Sequence, residues 1–270
     1  MITWPQALIL GALQGATEYL PVSSSGHLVI AEHLFGLREP TLLFNIVLHV
    51  GTLSAVVVYY WCDIVRLVRE SLLGIGDLLR GGKPSRVLSS RPEFRFALLI
   101  LWATIPTAVI GLLFNESFKR MFASVQWVGL MLIVTGVVLF LTRFTSEKSS
   151  RPIGLLSAFV IGTVQGLAIA PGISRSGTTI AAGLFQGIER EEAARFSFLL
   201  SIPSIVGALL LEVNGATNGA GSGAMIFGFV AAAVTGYACL ALLVQLVKRN
   251  RLSIFAVYCL VVGLAALFVR

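Results

Sequence analysis

Charged side chains are scarce in this sequence of 270 residues. Asp, Glu, Lys and Arg make up 12% of it, and its mean hydropathy is +0.89, whereas soluble globular domains carry about 25% charge. This shortage excludes an ordinary soluble domain. The apolar runs are about 20 residues long, unlike the alternating segments of about 10 residues in an outer-membrane barrel. The sequence therefore predicts an all-α polytopic membrane protein.

Cysteine is scarce too, and no basic residue stands near the N-terminus. Cys62, Cys239 and Cys259 share no metal-ligand spacing, so we expect them to pack inside helices. Because no Lys or Arg precedes Arg38, the basic region of a secretory signal is missing. The net charge of +7 lies mainly in a few loops, which indicates membrane orientation rather than binding to nucleic acid.

Six apolar segments are each long enough to cross a hydrocarbon core about 30 Å thick. They occupy residues 42–62, 95–114, 124–143, 194–213, 224–247 and 252–269. An excess of Lys and Arg marks cytoplasmic loops. It places loops 63–95, 143–152 and 248–251 in the cytoplasm, and the uncharged loop 214–223 and both termini outside.

Two stretches of the chain are copies of each other. GALQGATEYLPVSSSGH begins at Gly11, and GTVQGLAIAPGISRSGT begins at Gly162, 151 positions later. A Gln-Gly pair and a Ser-x-Ser-Gly run align at this offset. The duplication predicts repeat 1 over residues 1–150 and repeat 2 over residues 151–270, with one composite site between them.

Each copy interrupts an apolar stretch with Pro, Ser and Gly. The elements 5–37 and 153–188 have two short arms that each reach only partway across a membrane, so we expect re-entrant helix–loop–helix elements. Each repeat then holds one such element and three spans. Because three is an odd number, repeat 2 is inverted relative to repeat 1. The two broken tips are expected to meet near the midplane, as in many transporters.

The copies carry the polar residues that matter most. Glu18 and His27 flank a serine run in the first, and an ionisable group at that depth is costly unless it is paired or functional. Gln14 stands one helical turn before Glu18 on the same face. In the second copy Arg175 stands just before a predicted helical run at 180–187, where free N–H groups and a guanidinium suit a phosphate. A structural N-cap with Arg175 paired to Glu18 is the alternative. His33 and His49 belong to no motif.

These residues resemble the signatures of the bacterial undecaprenyl-diphosphate phosphatases, also called bacitracin-resistance proteins. The matching motifs are Gln14-x-x-x-Glu18, PVSSSGH at 21–27 and PGISRSGTT at 171–179. The resemblance extends over the whole chain in length, span pattern and repeat. It implies an integral plasma-membrane enzyme that hydrolyses undecaprenyl diphosphate to undecaprenyl phosphate and inorganic phosphate. The product is the lipid carrier of peptidoglycan and cell-wall synthesis. Bacitracin would sequester the substrate, so the activity gives antibiotic resistance.

The resemblance also implies roles for individual residues. Arg175 would hold the diphosphate, helped by Gln14 and a set of small polar residues, Ser25, Ser174, Ser176, Gly177 and Thr178. Ser24, ahead of Ser23, would be the nucleophile, with His27 as its acid–base partner; a His27 nucleophile and direct attack by water are the alternatives. The family uses Mg²⁺ or Ca²⁺ and has Glu or Gln at the leading position of its first motif. With Gln14 there, the cation is expected on Glu18 and the substrate's own oxygens.

A second hypothesis for the function is a flippase of polyprenyl phosphate, because inverted repeats are common in transporters. The combination of Glu, His, Ser and Arg favours hydrolysis, because moving an anionic lipid needs positive charge but no acid–base pair. The resemblance places the active site at the outer face of the membrane. The oligomeric state is open, with a homodimer as one expectation.

Overall fold

The computed structural model describes residues 2–37, 42–122, 124–146, 150–212 and 221–268. Over these residues the chain is helical, without a β-strand of more than an isolated bridge. The helices of the first half are α1 (Trp4–Tyr19), α2 (Ser24–Leu34), α3 (Leu42–Tyr59), α4 (Trp61–Leu79), α5 (Pro84–Ser90), α6 (Pro92–Leu113), α7 (Asn115–Phe122) and α8 (Val125–Leu141, extended by a 3₁₀ turn to Phe144). Those of the second half are α9 (Leu155–Leu167), α10 (Arg175–Phe185), α11 (Arg190–Glu212), α12 (Ser222–Lys248) and α13 (Ile254–Leu267).

The predicted fold class, an all-α polytopic membrane protein, is confirmed. Within the described ranges, α6, α8 with its 3₁₀ turn, α11 and α12 are each long and apolar enough to cross a membrane. Together α3 and α4 make a fifth candidate, and α13, the predicted sixth span, is an apolar helix of 14 residues. The number of six spans stays a prediction, as does the division into inverted repeats. Most of the predicted outer loop 214–223 lies outside the described residues.

The predicted cytoplasmic loop 63–95 is largely helical. At Tyr60 the chain bends by 75° between α3 and α4. The cause is a change of pattern: α3 is almost wholly apolar, whereas α4 is amphipathic, with Asp63 in its first turn and arginines along one face. Arg195 of α11 links α4 to α6 at this end of the fold, because it donates to Asp63 at 2.8 Å and to Glu93 at 2.7 Å.

Both predicted broken elements are present as helix, break and helix. The first break covers residues 20–23 between α1 and α2, and the second covers residues 168–174 between α9 and α10. Each arm has 11 to 16 residues, which is about 17 to 24 Å of helix and less than a hydrocarbon core of about 30 Å. The chain must therefore turn back or continue at an angle at each break.

The first arm of each element packs tightly on a span from the other half of the chain. A Cβ added to Gly15 of α1 would lie 2.0 Å from Thr235 Oγ1 of α12. A Cβ added to Gly162 of α9 would lie 2.0 Å from the carbonyl oxygen of Ala103 in α6. The glycine pairs 11/15 and 162/166 thus permit close helix contact, which is the ordinary role of such spacing. This exchange brings the two breaks to the centre of the molecule.

Candidate functional site

The two breaks contact each other directly. The backbone N–H of Gly172 donates to Ser23 Oγ at 3.1 Å, and Ser176 Oγ donates to the carbonyl oxygen of Tyr19 at 3.0 Å. A Cβ added to Gly177 would come within 2.8 Å of Pro21. The expected contact between the broken tips is confirmed, and its position near the membrane midplane stays a prediction. The contacts also satisfy backbone groups that the breaks would otherwise leave without partners.

Backbone conformation at the breaks depends on two residues with positive φ. Gly172 has φ +95°, and its Cα lies so close to α8 that an added Cβ would meet the carbonyl oxygen of Val128 at 2.3 Å. Ser23 has φ +68°, which is uncommon for a residue with a side chain. The strained position of Ser23 is stabilised by its Oγ, which accepts the Gly172 N–H. Ser23 therefore shapes the break.

Glu18 is the centre of the polar cluster. Its Oε2 accepts hydrogen bonds from Gln14 Nε2 at 3.1 Å and from Ser24 Oγ at 2.7 Å, and its Oε1 pairs with Arg175 Nη2. The Glu18 side chain is 8% exposed and that of Arg175 is 16% exposed. Such charges tolerate burial only as a pair. The site therefore combines a carboxylate from the first half of the chain with a guanidinium group from the second.

Two buried polar atoms of this cluster have no hydrogen-bond partner among the described residues. They are Arg175 Nη1 and Gln14 Oε1. A buried guanidinium N–H without an acceptor is costly, so the site is incomplete by itself. The N–H donor at Arg175 Nη1 requires an anionic or carbonyl oxygen as its acceptor. Its place in the first turn of α10, where the first N–H groups lack intrahelical acceptors, favours an anion such as phosphate.

The other predicted binding residues of α10 serve the helix itself. Ser174 caps α10 by accepting the Gly177 N–H at 3.2 Å, and its carbonyl oxygen accepts from Thr178 Oγ1 at 2.7 Å. Ser174, Ser176 and Thr178 are all buried. Their hydroxyl groups are committed to backbone groups or to each other. They shape the helix start that carries Arg175, and their direct contact with substrate stays a prediction.

The structure separates the two predicted catalytic partners. Ser24 Oγ donates to Glu18, whereas His27 Nδ1 bonds to the Ser23 carbonyl oxygen at 2.8 Å and His27 Nε2 to the hydroxyl of Tyr258 at 2.6 Å. Ser25 Oγ lies 3.3 Å from Ser23 Oγ. The base that neighbours Ser24 is thus Glu18. The pairing of Ser24 with His27, expected from their three-residue spacing, is not seen.

Sequence reasoning missed one residue and gave another little weight. Tyr258 contacts His27 from α13, 231 positions away, and its apolar surroundings in the sequence give no signal of this. His49 of α3, which has no motif, interacts electrostatically with the Glu18 carboxylate. In the sequence, the one hint of a role for His49 is that this polar residue stands at helical spacing from the residues on the core face of α3. Both contacts depend on helix packing.

A divalent cation would find oxygen donors here, but few of them. Within the described ranges no group of three or more His, Cys, Asp or Glu residues could hold a metal by itself. Gln14 Oε1 is a neutral oxygen without a partner beside the Glu18 carboxylate. Carboxylate and amide oxygens are ligands that Mg²⁺ and Ca²⁺ prefer. The residues present fit a cation whose remaining ligands come from substrate and water.

Comparison with known proteins places this chain in a family. A model of the family described as bacitracin resistance protein BacA matches residues 7–265. The chain belongs to the bacitracin resistance protein family. It is 43% identical to the undecaprenyl-diphosphatase of Methanosphaera stadtmanae, over 96% of this chain and 95% of that protein. It is 44% identical to the undecaprenyl-diphosphatase of Desulforapulum autotrophicum, over 97% and 96% of the two chains. The same identity relates it to the undecaprenyl-diphosphatase of Desulfatibacillum aliphaticivorans, over 98% of each.

Family membership agrees with the geometry. The residues that the sequence motifs single out, Glu18 and Arg175, are those that the two breaks bring into contact. The multi-pass membrane character expected of the sequence is confirmed by the apolar helices and by the family.

Proposed function

We propose that this protein is an undecaprenyl-diphosphate phosphatase, which releases inorganic phosphate and returns undecaprenyl phosphate to cell-wall synthesis. The observation that carries the proposal is the buried pair of Glu18 and Arg175, in which Arg175 Nη1 has no acceptor among the described residues. Full-length similarity to proteins named undecaprenyl-diphosphatase supports it. Bacitracin would act by sequestering the substrate, and the activity would give resistance by restoring the carrier.

Arg175 binds the diphosphate. Phosphoanhydride cleavage needs positioning and charge neutralisation more than covalent chemistry. Nη1 offers a donor to phosphate oxygens, and a guanidinium is suited to phosphate because it can form two parallel bonds to one phosphate group.

Ser24 is the nucleophile in this proposal. Its hydroxyl proton already points to Glu18 Oε2, at 2.7 Å between oxygens. As the oxygen bonds to the terminal phosphorus, its proton passes to Glu18 and the bridging P–O bond breaks, leaving undecaprenyl phosphate. Water then hydrolyses the phosphoserine. Ser23 is unsuited to this role, because its Oγ supports the backbone of the opposite break. A phosphoryl group trapped on His27, or none trapped at all, would favour the alternatives.

The cation, Mg²⁺ or Ca²⁺, is part of the proposal. Glu18 and Gln14 Oε1 would hold it together with diphosphate oxygens. When bound, it supplies neutralisation of charge on the diphosphate. The polyprenyl tail lies along the apolar outer surface of the helices. The proposal includes a location in the plasma membrane with the site facing outward: the charge of the loops supports the orientation of the spans, and the family resemblance supports an outward-facing site. A homodimer stays an expectation.

The decisive experiment measures phosphate release from undecaprenyl diphosphate by purified protein, with and without Mg²⁺ or Ca²⁺. Wild type is expected to release phosphate in a cation-dependent way, and Arg175→Ala and Glu18→Ala are expected to lose at least about a hundred-fold in rate. Folded wild type that releases no phosphate would refute the hydrolase. The flippase, the rival reading of the inverted repeats, finds no support in the relatives' names.

A further inference from the structure

Both ring nitrogens of His27 are held, and by groups from different halves of the chain. Nδ1 lies 2.8 Å from the carbonyl oxygen of Ser23 and Nε2 lies 2.6 Å from the hydroxyl oxygen of Tyr258. The imidazole and phenol planes are inclined by only 11°. Nearly parallel planes alone would also fit stacked rings. The distance of 2.6 Å between Nε2 and the hydroxyl oxygen is what identifies a hydrogen bond in addition to ring packing.

The partners of His27 determine where its proton sits. A carbonyl oxygen can only accept, so Nδ1 must carry hydrogen to bond with Ser23. In the neutral ring Nε2 then bears the lone pair, and the Tyr258 hydroxyl donates to it. The pair of contacts selects one tautomer and one ring orientation, as the group beyond a catalytic histidine commonly does. Loss of the Tyr258 hydroxyl would leave only the Ser23 contact.

The position of Tyr258 is fixed by its neighbours on α13. The adjacent Cys259 is buried and donates through Sγ to the carbonyl oxygen of Pro21, in the first break, at 3.4 Å. One turn further, Gly263 approaches the backbone of α8 so closely that an added Cβ would lie 2.8 Å from the Gly129 carbonyl oxygen. Tyr258 itself is 45% exposed, so little packing holds its ring. Cys259 is thus the contact of α13 with the break, and the Tyr258 hydroxyl is its contact with His27 of α2.

We propose that Tyr258 is a positioning residue for His27: its hydroxyl group donates to the Nε2 lone pair of the Nδ1–H tautomer that Ser23 selects, and it directs Nε2 away from Ser24. The inference rests on the proposed function for its catalytic consequence only. It explains why Ser24 pairs with Glu18. The Nε2 lone pair points towards Tyr258 and not towards Ser24. His27 is therefore assigned to a step other than the activation of Ser24.

The test compares Tyr258→Phe with Tyr237→Phe. Tyr237 is a matched control, because it is also 45% exposed, lies on the neighbouring helix α12 in sequence and contacts aromatic Tyr59 instead of the site. The first readout is ¹⁵N NMR of protein labelled at histidine in detergent. The chain has 3 histidines, so comparison with His27→Gln assigns the His27 signals. The second readout is kcat and KM for phosphate release.

Tyr258→Phe is expected to shift the ¹⁵N signal of His27 Nε2, which loses its hydrogen-bond donor, and to lower kcat about 10- to 100-fold with little change in KM, within the range that acid–base catalysis contributes. Tyr237→Phe should change neither. An unaltered Nε2 signal, measured where both variants are folded, overturns the proposal whatever the activity. Inactive wild type with a Tyr258-dependent Nε2 signal would refute the phosphatase but leave this positioning role standing. A change in KM with kcat unchanged would also contradict it.

Discussion

Glu18 and Arg175, which are 157 residues apart in the chain, form an ion pair between the end of α1 and the start of α10. Both side chains are buried, at 8% and 16% exposed. Because an unpaired charge in such surroundings is costly, the two residues depend on each other for stability. The same pair leaves Arg175 Nη1 without an acceptor. Stability and function therefore meet in one contact, and experiments can separate them.

A double-mutant cycle makes this separation. Arg175→Met alone is expected to destabilise the protein by about 3–5 kcal/mol, because it leaves the Glu18 charge buried and unpaired. Glu18→Gln in the same chain should restore much of that stability without restoring activity. Thermal unfolding in detergent and phosphate release measure the two effects. Additive losses of stability in the double variant would show that the ion pair is not energetically coupled.

Ser23 is expected to be a structural residue of the break. Ser23→Ala removes the acceptor of the buried Gly172 N–H, at a cost of about 1–3 kcal/mol. It also keeps a Cβ at φ +68°. Ser23→Gly loses the same hydrogen bond but removes the strain, so it should be more stable than Ser23→Ala by about 1 kcal/mol. Ser25→Ala is the control, since among the described residues its hydroxyl group has a single hydrogen-bond contact, at 3.3 Å from Ser23 Oγ. Unfolding midpoints rank the three variants, and equal midpoints would contradict the role.

Close packing between α1 and α12 depends on Gly15. In Gly15→Ala the new Cβ would meet Thr235 Oγ1 at 2.0 Å and the Ala232 carbonyl oxygen at 2.5 Å. We expect a loss of about 1–3 kcal/mol from overpacking. Gly76→Ala in α4 is the control, because nothing lies within 4 Å of its added Cβ. That variant should be neutral or stabilised by up to about 1 kcal/mol. A stable Gly15→Ala protein would be inconsistent with this packing.

We expect the residue at the leading position of the first motif, Gln14, to influence affinity for the proposed cation. Gln14→Glu places a second carboxylate beside Glu18, and ligand charge raises affinity for hard cations, so the half-activating Mg²⁺ concentration should fall about ten-fold. Gln165→Glu is a matched control. Gln165 is the repeat counterpart of Gln14, is buried with Oε1 lacking a partner within the described ranges, and bonds Ser204 instead of an acid. That change should lower stability and leave the Mg²⁺ requirement alone. Unchanged cation dependence in Gln14→Glu would argue against a cation at Glu18.

Much of the site could be predicted from the sequence. The Pro, Ser and Gly runs are incompatible with continuous helix, and both breaks lie where those runs stand, at residues 20–23 and 168–174. The predicted contact between the breaks is present, because buried backbone groups in each require partners. The helices within segment 63–95 could not be predicted from its charge. Arg66 and Arg69 lie on α4, an amphipathic helix, and the cytoplasmic side of the segment stays a prediction.

The sequence by itself determined the class of protein, the two broken elements and the residues that could carry charge inside them, because hydropathy and helix-breaking residues act locally. Only the tertiary structure decided which polar atoms meet. Helix packing pairs Ser24 with Glu18 and His27 with Tyr258, although the three-residue spacing of Ser24 and His27 favoured a contact between those two residues. The reason is physical: a hydrogen bond depends on the direction of two side chains within a few tenths of an ångström. That direction is set by neighbours from distant parts of the chain.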